Sequence, residues 1–149
     1  MANRLSVTEL SLQDWSAAGA SLLLLPASRV AIALLGYRRG ARIISKVAPW
    51  WSRSPSPVET TEFASRLAQV VGGLSRRLPM RLHCLHRAVV IDALLKKAGI
   101  PSQVHLGARP GNAFQAHAWV CVAGQAVGEP QSVQNEFGLI DARRPRTSA

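Results

Sequence analysis

Cys84, His117 and Glu129 are the residues of this chain whose types and order suit covalent chemistry. Cys84 opens the apolar stretch that runs to Ala98, His117 lies in the alternating stretch Phe114 to Val122, and Glu129 sits just past the next turn. A thiol attacks a carbonyl carbon only as its thiolate, so it needs a base to take its proton and a third group to orient that base. Taken in order, the three residues predict the nucleophile, base and orienting acid of a cysteine peptidase. Asp141 is the alternative acid, and Glu129 has a plain reading as a turn carboxylate. Cys84 has one too, since most helix cysteines simply pack. Zinc binding by His83, Cys84, His86, His117 and Cys121 is the rival chemistry. Against it, Cys84-x-His86 is not the spacing of a closed site, and no second paired motif follows. Peptidase chemistry of this kind needs neither metal nor cofactor, and none is expected.

Such a site has to be positioned by a helix start and a strand. The positions Leu85, Ala88, Val89, Ile91, Leu94, Leu95 and Ala98 nearly encircle a helix that ends at Gly99 and Pro101, which makes it the buried centre of the fold. Cys84 then lies near its N-terminal end, where free N–H groups and the macrodipole favour a thiolate and an oxyanion. The period next changes to two. Val104, Leu106 and Ala108 alternate with Gln103, His105 and Gly107, Pro110-Gly111-Asn112 turns the chain, and His117, Trp119 and Cys121 alternate with Ala116, Ala118, Val120 and Val122. An antiparallel pair is predicted, with His117 on the face opposite the apolar set and His105 exposed. Ala126 to Glu129 and Phe137 to Ile140 are further short strands.

The N-terminal third reads as helix. Ser11 is an N-cap with Asp14 three residues on, and Ala17 to Leu35 is strongly apolar but interrupted by Pro26 and Arg29. Two buried helices, or one kinked at Pro26, should pack on the core rather than span a bilayer. Arg38, Arg39, Arg42 and Lys46 follow, then Trp50-Trp51. Pro55 and Pro57 mark a loop, with Ser56 capping a helix expected to stop at Gly72-Gly73. The fold class is α+β. Residues 1–55 form an apolar helical region and 56–149 the catalytic core, packed as one compact domain.

With 149 residues and 48% apolar content the chain can bury a real core. Two cysteines at unrelated positions make no disulfide framework, and Met1 to Leu12 has no secretory signal pattern, so the reducing cytoplasm is the expected compartment. Eighteen Lys and Arg against eight Asp and Glu give +10, a footprint for an acidic partner, a nucleic acid or an anionic membrane. The basic residues fall in separated pairs such as Arg76-Arg77 and Arg143-Arg144, and no recognition motif accompanies them, so no nucleic-acid partner is expected.

Cys84-Leu85-His86-Arg87-Ala88, then Leu94 to Pro101, then Ala116-His117-Ala118-Trp119-Val120 with Gly124, resemble the lasso-peptide leader peptidases, a group of transglutaminase-like cysteine peptidases. The similarity covers roughly Pro57 to Pro130, and the apolar helices before it are similar to the family's N-terminal region. It implies a helical N-terminal region packed on a papain-like core of a buried helix and a small antiparallel sheet. It implies Cys84 as nucleophile, His117 as base and the acid at the position of Glu129, where the family more often has aspartate. It further implies removal of the leader from a lasso precursor, with a separate leader-recognition protein in this split form and an ATP-dependent cyclase as partners. The alternatives are a non-catalytic peptidase-like scaffold and a basic nucleic-acid-binding module.

Overall fold

The computed structural model of the chain describes residues 12–49, 57–111, 113 and 115–140. The expected caps Ser11 and Ser56, the Trp50-Trp51 pair, the alternative acid Asp141 and the C-terminal tail lie outside them.

Helix α1, Leu12–Val47, buries one stripe. Ala17, Ser21, Leu24, Leu25 and Ser28 recur every three or four residues and are almost fully enclosed. The two serines satisfy themselves, Ser21 Oγ donating to the Ala17 carbonyl and Ser28 Oγ to that of Leu25, both at 2.7 Å. The other side of α1 differs from expectation. Leu22, Leu23, Val30, Leu34 and Leu35 are exposed, Leu23 to 76% and Leu34 to 77%, so the apolar run is only half used by the core. Trp15–Val47 is long and apolar enough to cross a membrane by length and composition. The helix passes through Pro26 and breaks instead at Gly36, whose φ of 74° suits only a residue without Cβ. The break brings Gly40 back against Ile32.

Helix α2, Pro57–Arg77, continues through Gly72 and Gly73 rather than stopping there. Two glycines cost a helix about 2 kcal/mol in propensity. Packing outweighs that, because Val71 before them and Ser75 after them are both buried. Helix α3, Cys84–Lys97, is enclosed along most of its length, from Ala88 to Leu95. It closes as a Schellman turn, with Gly99 at φ 77° and Ile100 N–H donating to the Leu95 carbonyl at 3.0 Å.

Strands β1 (Gln103–Arg109), β2 (Gln115–Val122), β3 (Gln125–Val127) and β4 (Gly138–Leu139) form one antiparallel sheet in the order β3-β2-β1-β4. A single turn, α4 (Val133–Glu136), precedes β4 and was not expected from sequence. Ala118, Val120 and Val122 join the helices in one core that runs from Ala17 to Val127. Trp119, Cys121, Ala126 and Val133 form a second, smaller core on the other face, with Phe137 against it. A mixed fold of helices on a small antiparallel sheet is therefore what the chain adopts.

Candidate active site

Cys84 is the first residue of α3, with His83 as N-cap. Cys84 and Leu85 have no carbonyl four residues earlier in the helix, so their N–H groups point free of the helical ladder. A helix N-terminus favours negative charge. The thiol is half-buried, and it packs beside the helical core.

The start of α3 is held by two contacts absent from the sequence reading. The His83 N–H donates to His86 Nδ1 at 3.1 Å, so an imidazole takes the place of the usual capping-box Glu or Gln. Arg29 of α1 donates through its guanidinium to the Arg81 carbonyl just upstream. The Arg29 that interrupts the apolar run thus fixes the segment leading into Cys84. Burial, then the neighbouring charges of His83 and Arg29, hold His86 below its ordinary value of 6.5. A neutral ring is what an accepting Nδ1 requires.

The pH consequence has a definite sign. Above about 6.5 His86 is neutral both folded and unfolded; as pH falls below that value the unfolded chain takes the proton first, and stability declines until the lower folded value is passed. His86→Gln keeps an acceptor at the same position without a proton to gain. Melting temperature should therefore fall less steeply on acidification below pH 6.5 in the variant than in the parent. Equal slopes would remove His86 as the source.

His117 stands on β2 opposite Gly107 of β1. Its Nε2 lies 3.3 Å from Glu129 Oε1, with the two side chains 20% and 31% exposed. The β2–β3 register, Val120 with Val127, would put Glu129 across from Ala118 if the strand ran on. It does not, because Gly128 adopts φ 70° and breaks the alternation. A Cβ there would also meet Ala68 Cβ at 2.5 Å, so α2 requires glycine at the same place.

Aromatic rings fix the imidazole. Trp119 stacks on His117 at 6.1 Å between centroids and on His105 at 5.8 Å, while Phe137 tilts against His117 at 5.3 Å. Gly107 makes room for this cluster, since a Cβ would come within 2.8 Å of both Phe137 and the Trp119 ring. His105 is accordingly half-buried in a stack, not the exposed strand residue expected from alternation. Phe137 was missed as a neighbour of His117, and His105 as the second ring stacked on Trp119. The β1–β2 register, which pairs His105 with Trp119, is the signal that finds His105.

The structure brings His117 and Glu129 together. Among the described residues no hydrogen bond joins Cys84 to His117, and His117 lies on the sheet face opposite Ala118, Val120 and Val122, away from the helical core that Cys84 packs against. Cys121 shares the face of His117 but is 7% exposed, and burial pushes its thiol up. Among the described residues no three His, Cys, Asp or Glu side chains converge to hold a metal ion.

Residues 22–140 match the transglutaminase-like superfamily, and with that match spanning well over half its length the chain belongs to this superfamily. Its members are commonly cysteine peptidases or transferases. Neither the curated proteins nor the solved structures yield a match.

Proposed function

We propose that this protein is a cysteine peptidase that removes the leader peptide from a lasso-peptide precursor in the cytoplasm, together with a separate leader-recognition protein and an ATP-dependent lasso cyclase. The observation that carries the catalytic part is the His117–Glu129 pair in a chain of this superfamily whose central helix begins with a cysteine. The lasso assignment is supported by the Cys84-Leu85-His86-Arg87-Ala88 and His117-Ala118-Trp119-Val120 elements.

Glu129 engages Nε2, which leaves Nδ1 of His117 to take the thiol proton. The Cys84 thiolate attacks the scissile carbonyl carbon, and the N–H groups at the start of α3 donate to the oxyanion. The imidazolium then gives its proton to the leaving amine, and a thioester remains on Cys84. Water attacks the thioester carbon, His117 takes the proton of that water, and the thiol is released with the leader carboxylate. For this transfer Cys84 and His117 must come within hydrogen-bond reach once substrate is bound, a contact that the described residues of the free protein do not make. The lack of that contact among the described residues is the observation that favours the second reading, a non-catalytic scaffold.

Two measurements decide between them. Iodoacetamide should label Cys84 faster than Cys121 at neutral pH, since the Cys121 thiol is buried and pushed up. Incubation with a lasso precursor should yield the free leader by mass spectrometry, slowly alone and faster with the leader-recognition protein, which raises the effective concentration of substrate. No cleavage under either condition, with Cys84 no more reactive than Cys121, would establish the scaffold.

A further inference from the structure

A groove of about 710 Å³ lies between the second half of α1, the C-terminal end of α3 and the start of β1. Arg38, Arg42 and Lys46 line one wall, and Asp92 and Lys96 the other. The three α1 cations are four residues apart, so they stand one above another on one helix face, about 6 Å per step. Like charges at this spacing repel. Asp92 is the acidic residue of the lining, and it is already engaged, by Lys96 Nζ at 2.7 Å and by the Ser102 hydroxyl at 2.7 Å. Among the described residues no carboxylate pairs with Arg38, Arg42 or Lys46.

The charge has a particular shape. Lys46 is in the last turn of α1 and Lys96 in the last turn of α3, so the groove faces helix C-termini. The dipole there is negative, whereas compact phosphate sites use helix N-termini. Cations spread over about 12 Å instead match carboxylates on alternate residues of an extended peptide, about 6.8 Å apart. Among the described residues Tyr37 is the aromatic ring of the lining, and one ring is too little for the stacked platform that single-stranded nucleic acids use. Ala41 and Val104 add apolar surface between the charges.

We propose that this groove is a docking site for an acidic peptide segment. Cys84 and Lys96 stand at opposite ends of α3, roughly 18 Å apart along the axis, so the groove is separate from the thiol. A chain held there lies about six extended residues from Cys84. Its occupancy does not depend on whether Cys84 is a nucleophile, and the test is read without turnover.

The experiment is fluorescence anisotropy of the full chain with a labelled peptide of alternating Glu and Ser at low salt. Arg38→Glu/Arg42→Glu should weaken binding by at least about tenfold. Arg76→Glu/Arg77→Glu, which changes net charge equally on the exposed last turn of α2, should leave it within about twofold. Arg38→Gln/Arg42→Gln serves if charge reversal disturbs the fold by circular dichroism. Equal loss in both double variants would show non-specific attraction and overturn the site. So would no binding, or displacement of the peptide by tripolyphosphate or an oligothymidylate at concentrations where unlabelled peptide fails to compete.

Discussion

Cys84→Ala and His117→Ala should each abolish leader removal, with a loss on the order of 10³-fold or more, because nucleophile and base act as one unit and removing either removes most of the rate. Their folded states should survive. Cys84 is only half-buried, so a methyl group leaves little void, and His117 is partly exposed at the edge of a stack whose Trp119 stays enclosed. The two variants should therefore melt cooperatively while failing to cleave. Glu129→Gln keeps the shape beside Nε2 but removes the charge that supports the imidazolium, so it should lose less than Glu129→Ala. Cleavage of a precursor, followed by mass spectrometry with each purified variant, is the measurement. Full activity in either Cys84→Ala or His117→Ala ends the peptidase reading. Wild-type activity in both Glu129 variants together with loss in Asp141→Ala would transfer the acid role to Asp141.

What was legible in the sequence was the part that local pattern determines. The apolar ring of α3 with Gly99 and Pro101 behind it placed Cys84 at a helix start, and the change to a period of two placed His117 on the face away from the helical core. What was not legible depends on contacts between distant segments. Gly72 and Gly73 signal a helix end, but the burial of Val71 and Ser75 on the packed face carries α2 onward to Arg77. Pro26 signals a kink, yet the larger change of direction occurs at Gly36, the residue able to take φ 74°. The wall that Phe137 provides for His117 follows from α4 returning the chain to β1 next to Gly107, which no local pattern encodes. His86 and Arg29 were read as a rival metal ligand and as an interruption; the fold uses them to hold the start of α3.

The expectation that Ala17 to Leu35 packs on the core also has to be divided by face. Leu25 is fully enclosed and Leu24 nearly so, while Leu22 and Leu23 look outward. A carboxylate at Leu25 loses the packing of a buried leucine, about 2–5 kcal/mol, and adds the cost of burying an unpaired charge. Against a total of about 5–15 kcal/mol for an ordinary domain, that should unfold the protein. Leu25→Asp is accordingly expected to be insoluble, or to show no cooperative melting transition. Leu23→Asp, at a position 76% exposed, should melt within a few degrees of the parent and keep any activity it has. A shortened chain beginning at Ser54 removes the whole of α1, strips the cover from the core residues of α2 and α3, and releases the Arg81 carbonyl from Arg29. It should aggregate although Cys84, His117 and Glu129 are all retained. A soluble shortened chain with full cleavage would show that the buried stripe of α1 is dispensable to the core, and that its exposed leucines and the arginines after Gly36 are what keep the helix in the protein.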